Sequence, residues 1–329
     1  MSTTAKKAAQ IIAAVMAAAL VFFGVKDAAS TNESASARNA VNIIAPANAG
    51  GGWDSVAREI QQVMREENIV TNPTVLNIPG AGGTIGLSQL NEMSGDATTL
   101  MITGAVMLGA IHVNSSGVDL GDVTPIARIA DDYNVLAVSA DAPYDSVDEL
   151  VAEWKKDPRD FPWGGGSTGS VDQMIIAQLA SEAGLDPADA NYMAHSGGAE
   201  LATALMAGTI KASVSGYNDF ADQIEAGRLK VLAVSAKKPV EGIDAPTLLE
   251  EGYNVDMVNW RGVVAPPGLS DEEVEELRAI MKEVLETESW KNVLQRNRWE
   301  DSALVGEPFA ENLDEESELV DGIWTDLGY

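Results

Sequence analysis

The sequence predicts an α/β protein of two lobes with a ligand cleft between them. Three observations carry that prediction. Short apolar runs of strand length alternate with segments whose apolar residues recur at helical spacing. Glycine-rich loops stand at strand-to-helix junctions in both halves of the chain. With 329 residues and 46% hydrophobic content, the chain is long enough for two medium domains.

The elements follow in order. Residues 41–45 read as a strand, and Val56, Ile60, Val63 and Met64 then recur at helical spacing. Residues 75–78, 100–102, 126–129 and 135–139 read as further strands, which together argue for a largely parallel sheet. Ser146 with Glu149 forms a capping box that opens a helix through Trp154. A glycine-rich turn over 164–169 leads to a helix from about 170 to 183. Helix, strand, helix and strand then follow at 201–206, 210–214, 220–224 and 229–234. Residues 263–265 are strand-like and stop at Pro266-Pro267. Ser270 and Glu273 form a second capping box, with Leu269 and Val274 as its hydrophobic staple. The pattern assigns residues 38–140 and 255–329 to the first lobe and 141–254 to the second.

The N-terminus reads as an address. Lys6 and Lys7 precede an apolar run over 11–25, shorter than the roughly 20 residues of a membrane-spanning helix. Ala35-Ser36-Ala37 fits a signal-peptidase site, so residues 1–37 are expected to be a cleaved signal peptide; Ala28-Ala29 is a second candidate. Periplasmic export follows, and the mature chain is expected to be soluble and monomeric.

Composition removes several functions. The net charge is -29 and the pI about 4.2, the wrong sign for a protein that holds phosphate backbones. There is no cysteine, hence no disulfide, thiolate metal site or lipid-anchor cysteine. His112 and His195 are the two histidines, too few for a histidine-rich metal centre. No metal or other cofactor is expected.

The loops carry the chemistry. Ala47-Asn48-Ala49-Gly50-Gly51-Gly52-Trp53-Asp54 joins the first strand to the first helix. Glycines leave backbone N–H groups uncovered, and the helix adds its positive end, so such a loop makes an anion site without Lys or Arg. A tight turn with Asp54 as a first-turn acid explains this loop equally well. Gly80-Ala81-Gly82-Gly83-Thr84 occupies the next junction, and Ser167-Thr168-Gly169-Ser170 an equivalent place in the second lobe. Ligands of open α/β sheets bind beyond the strands' carboxyl ends, so three such loops suit a di- or tricarboxylate. None fits the P-loop pattern, and the P-loop lysine is absent. His195 reads as a loop hydrogen-bonder, and pairs such as Asp131-Asp132 and Glu272-Glu273 as solvated or first-turn acids.

These segments, in this order, resemble the solute-binding receptors of tripartite tricarboxylate transporters, including the Bug group. The resemblance spans nearly the whole mature chain: 43–54, 79–83, 164–170, 196–208, 229–246 and 260–267. It implies a two-lobed periplasmic binding protein fold, type II-like, that closes on its ligand, and a protein that is not an enzyme. It implies that Ala49, Gly50, Gly51, Gly52, Trp53 and Asp54 with Gly80, Ala81, Gly82, Gly83 and Thr84 act as pincers on one carboxylate. Ser167, Thr168, Gly169 and Ser170 would hold another, with Gly197, Gly198, Asn218 and Arg261 as further ligand-facing candidates. An ion pair with a nearby acid explains Arg261 equally well. The stretch Asn259-Trp260-Arg261-Gly262 looks most like the tricarboxylate branch, implying a citrate-like ligand, taken alone or as a magnesium complex. The implied partners are the membrane permease subunits, with a sensor kinase as the alternative. An exported hydrolase or isomerase acting on an acidic metabolite is the remaining alternative.

Overall fold

The computed structural model describes residues 36–195 and 197–328. The expected leader lies outside them, save its last two residues. Ala37, the residue before the expected cut, is buried in the core, and Arg38 forks onto Glu283 at 2.6 and 2.7 Å.

The described residues contain eleven strands and ten α-helices. The first half runs β1 (Ala40–Ala45), α1 (Gly52–Glu66), β2 (Asn72–Asn77), α2 (Thr84–Glu92), β3 (Thr99–Gly104), α3 (Ala105–Val113) and β4 (Thr124–Asp132). Then come β5 (Asn134–Ser139), α4 (Val147–Trp154), β6 (Trp163–Gly165), α5 (Val171–Glu182), β7 (Tyr192–Ala194) and α6 (Gly198–Ala207). The second lobe ends with β8 (Ala212–Gly216), α7 (Tyr217–Glu225) and β9 (Leu229–Val234). The chain finishes with β10 (Asn259–Ala265), α8 (Asp271–Glu286), α9 (Glu288–Asn297), β11 (Leu304–Val305) and α10 (Glu307–Asp326). None of the described helices is long and apolar enough to cross a membrane.

Two sheets result, ordered β11-β4-β10-β3-β1-β2 and β7-β6-β8-β5-β9. The expectation of largely parallel sheets is corrected: both are mixed. β1, β2 and β3 run parallel, as do β6, β7 and β8. β10 is antiparallel to β3 and β4, and β5 to β8 and β9. Helical crossovers make the parallel strands; the antiparallel pairs join strands far apart in the chain, where it passes from one sheet to the other and back. The chain changes sheets at Tyr133, because Asn134–Ser139 pairs with β8 and β9, so those residues belong to the second sheet. It returns through the segment after β9 into β10.

Strand direction sorts most helix starts, the exception being α10, which follows antiparallel β11 and begins at Gly306 without a side-chain cap. Helices α1, α2, α3, α6 and α7 follow parallel-running strands, and each begins at a glycine N-cap with no side-chain cap: Gly51, Gly83, Gly104, Gly197 and Gly216. α5 begins at Ser170, whose hydroxyl also makes no cap. α4 and α8 follow antiparallel strands, so they start at the opposite edge of their sheets, and Ser146 and Ser270 cap them. The Ser270/Glu273 capping box is complete; at α4, Glu149 turns instead to the Asp145 N–H. A helix start without a side-chain cap leaves its N–H groups to water or a ligand.

The core is aromatic at its centre. Trp154, Phe161 and Trp163 are buried beneath the second sheet, with Trp154 edge-on to Trp163 at 4.8 Å. Trp260 and Phe309 pack edge-to-face at 5.9 Å in the first lobe. The expected turn over 164–169 is shorter than the sequence suggests, since Gly164 and Gly165 are strand. A Cβ on Gly164 would lie 2.3 Å from Ile210, and one on Gly165 2.4 Å from the Tyr192 hydroxyl. These two glycines serve close packing rather than a loop.

Candidate functional site

The first loop is stitched from within by Asp54. Its carboxylate is buried and accepts the Gly50 N–H at 2.7 Å, Arg58 Nε at 2.9 Å and Asn77 Nδ2 at 2.8 Å. Asn77 also donates to the Ala47 carbonyl at 3.1 Å, tying the loop's other end to β2. The Arg58 hydrogen bond is the main cause that holds the Asp54 carboxyl down at about 2, against the opposing effect of burial. Asp54 therefore stays ionised and shapes the loop. Ala49, Gly50 and Gly52 remain exposed around it.

The second loop stands beside the first. Gly80, Ala81, Gly82 and Gly83 all have positive φ, from +48° at Ala81 to +132° at Gly80, so the chain coils left-handed before α2 begins. Trp53 joins the two loops: a Cβ on Gly83 would lie 2.6 Å from its ring, and one on Gly104 3.4 Å from its Nε1. Thr84 is buried, and its hydroxyl donates to the Ala81 carbonyl at 3.0 Å.

The second-lobe loop meets the first lobe at a glycine pair. A Cβ on Gly109 of α3 would stand 2.1 Å from the Gly169 carbonyl oxygen, so the two backbones touch. Ser167 and Thr168 are exposed, whereas Gly169 and Ser170 are buried. Ser170 lies 3.1 Å from the Tyr192 hydroxyl, which donates to the Gly166 carbonyl at 2.8 Å. Two amides of this loop go to its own side chains: Gly166 N–H to Asp172 at 2.6 Å and Gly169 N–H to Gln173 at 3.0 Å.

Arg261 reaches the first loop from β10. Its guanidinium would lie 3.4 Å from a Cβ on Gly52, pairs with Asp132 at 2.7 Å, and covers the Trp299 ring at 4.9 Å. Asp131-Asp132 is thus not solvated surface, as the sequence suggested. Asp131 binds Arg128 and Ser302 at 2.7 Å each, and Asp132 carries the Arg261 pair. Gly197 is exposed beside buried Gly198, and a Cβ on Gly198 would meet Asp219 at 2.3 Å. Asn218 is engaged across the lobes, donating to the Asn297 carbonyl at 2.8 Å and accepting from Arg298 at 3.1 Å. His195 is the loop hydrogen-bonder expected, 2.7 Å from the Met193 carbonyl.

Sequence reasoning missed Arg58, Asn77, Asp132, Asn134, Asp172 and Asp219. Asp172 and Asp219 have a local signal, since they stand in the first turns of α5 and α7 as Asp54 does in α1, and Arg58 lies one turn beyond Asp54 on the same helix; Asn77, Asp132 and Asn134 are brought in by the fold. Burial pushes the Asp172 carboxyl up to about 7, against the Gly166 N–H that lowers it. Desolvation also raises Asp219, against the Ser215 hydroxyl bond at 2.7 Å. Among the described residues no group of three His, Asp or Glu side chains is arranged to hold a metal ion. A cavity of about 1000 Å³, lined by none of the loop residues, lies beside Arg128, Tyr133, Met257 and Ser302.

Paired parallel-strand ends, lined by glycine loops and helix starts without side-chain caps, define a two-lobed solute-binding receptor. The chain belongs to the TctC family, the tripartite tricarboxylate transporter family receptors, whose profile matches residues 56–321. Family and fold are those of periplasmic receptors, not of enzymes. Protein BugT of Bordetella pertussis is 25% identical over 259 residues, covering 76% of this chain and 77% of BugT. A TctC solute-binding protein from Polaromonas superposes with a TM-score of 0.75 at 26% identity, covering 88% of this chain and 99% of that one. The same fold recurs in MatC from Rhodopseudomonas palustris with bound malate, at TM-score 0.70 and 21% identity, covering 87% of this chain and 98% of MatC. It recurs again in an R. palustris protein with adipate, at TM-score 0.73 and 23% identity, covering 88% of this chain and 97% of that one.

Proposed function

We propose that the protein is exported, captures a small organic acid between its lobes, and hands it to the membrane permease of a tripartite tricarboxylate transporter. The observation that carries this reading is the set of helix starts at the parallel-strand ends, α1 beside Arg261 and α2 against Trp53 in the first sheet, α5 and α6 in the second. Such ends attract a carboxylate through N–H groups and the helix dipole even in a protein of net charge -29. Beyond a Debye length of about 8–10 Å the surface charge is screened, so the local dipoles decide. In this reading the pincer residues 49–54 and 80–84 hold one carboxylate, and Ser167, Thr168, Ser170 and Gly197 line the opposite wall.

A citrate-like tricarboxylate is the ligand the sequence resemblance favours. Malate and adipate, held by neighbours of the same fold, make dicarboxylates the second candidates. A thermal-shift screen against mono-, di- and tricarboxylates, followed by calorimetry on the compounds that stabilise, tests the proposal. Saturable one-site binding of at least one such acid is expected; no binding across the panel would overturn it.

A further inference from the structure

We infer that the protein has a second binding site, for a small organic cation, in the cavity of about 1000 Å³ where the chain passes between its two sheets. None of residues 49–54, 80–84 or 167–170 lines this cavity. The site is therefore separate from the glycine loops and independent of which acid they hold.

Place and size come first. Tyr133, where the chain leaves the first sheet, and Asp256, Met257 and Val258, where it returns, line the cavity together. Lys237 and Lys238 after β9, residues 300–304 up to the start of β11, and one face of α10 complete the lining. The volume is that of a small-molecule site, and Met257, Val258, Leu304 and Leu319 give it apolar walls. Tyr133 is more than nine-tenths buried, yet among the described residues its hydroxyl has no hydrogen-bond partner. Burial, with Glu300 and Asp131 nearby, pushes this phenol up to about 12. The hydroxyl therefore stays protonated, and its oxygen is an open acceptor for an ammonium N–H.

Charge decides the kind of ligand. Arg128 is already engaged: it donates to Asp131 at 2.7 Å, to Asn312 at 2.8 Å, and to Glu316 and Ser302 at 3.4 Å. Lys238 stands 3.8 Å from Glu300. Lys237 is left to balance Asp256, Asp301 and Glu315, none of which has a cation within ion-pair distance among the described residues. Burial raises the Glu316 carboxyl, against the pull of Arg128; even with Glu316 neutral, five carboxylates line the cavity against three cations. A carboxylate ligand would add to that excess and find Arg128 occupied, whereas an ammonium relieves it. The net charge of -29 draws a cation to the site as it repels an anion. Among the described residues no group of three His, Asp or Glu side chains is arranged to hold a metal ion, and the apolar walls suit an alkyl chain, so the cation is organic.

The test is calorimetry on the full protein with butylamine, putrescine and agmatine, and with 1,4-butanediol as the uncharged control. It is run at about 0.15 M salt, where distant surface charges are screened. At least one amine should bind at a single site, and the diol should not bind. Asp256→Asn and Glu315→Gln should each weaken that amine by about three- to tenfold, and Tyr133→Phe by about threefold. Glu315 is exposed on α10, so its variant keeps the test open should Asp256→Asn not fold. No amine binding, weak binding at many sites, or a single site that all three variants leave unchanged overturns the inference. So does binding of an oligolysine peptide without binding of any free amine, which would assign the surface to a basic segment of a partner protein. None of these outcomes touches the receptor reading, which rests on the glycine loops.

Discussion

Gly109→Ala separates the role of lobe apposition from the role of the loops. The new Cβ would stand 2.1 Å from the Gly169 carbonyl oxygen. Ordinary contact needs more than 3 Å, and both partners are backbone, so no rotamer change relieves the clash. The helix α3 and the loop before α5 must part by about 1 Å, and overpacking of this kind costs roughly 1–3 kcal/mol. If that contact belongs to the ligand-holding arrangement, the cost appears as a weakening of binding by about 5- to 150-fold. Calorimetry of wild type and variant with the tightest acid from the screen measures it, and a melting curve without ligand shows how much falls on the fold itself. Alanine at 109 with affinity and melting temperature both unchanged would refute the reasoning.

Other expectations follow from the same geometry. Gly83→Ala combines a φ of +97° with contacts of 2.6 Å to Trp53 and 2.7 Å to Met107, a loss of roughly 2–5 kcal/mol. Gly51→Ala has ordinary φ and one tight contact, 3.1 Å to the Asn48 carbonyl, so denaturant melts should show a loss below about 1 kcal/mol. Asp54, with its carboxyl held down at about 2, contributes stability that is present above pH 4 and lost as the pH falls through 2. Arg58→Ala should move that loss to higher pH in acid titrations followed by circular dichroism. Asp172 has the opposite sign: its unfolded carboxyl titrates near 3.8 and its folded one near 7. Stability should therefore fall as pH rises from 4 to 7, by a few kcal/mol at most. Asp172→Asn should flatten that slope.

The loops were legible in the sequence because they are local. A glycine cluster between an apolar strand and a 3.6-period helix names its own place, and Ala47 to Asp54 and Gly80 to Thr84 stand where that pattern puts them. Ser270 and Glu273 were legible for the same reason. The acids were not. Asp132 meets Arg261 from 129 residues away, only because β10 returns antiparallel between β3 and β4. Asp219 reaches that pair from the second sheet. In a chain with 50 acidic residues, a first-turn position marks Asp172 and Asp219 only weakly, because many other acids share it, and nothing local marks Asp132. Glycines can also mislead: Gly164 and Gly165 share the composition of a loop but are strand, because neighbouring side chains leave no room for a Cβ.

The central claim is that a carboxylate sits at the glycine-lined strand ends and not in the cavity beside Arg128. A crystal structure of the protein saturated with its tightest acid tests it most directly. The account predicts a carboxylate within hydrogen-bond distance of backbone N–H groups in 49–54 and 80–84. Density for the ligand beside Arg128, Tyr133 and Met257, with those amides untouched, would contradict it.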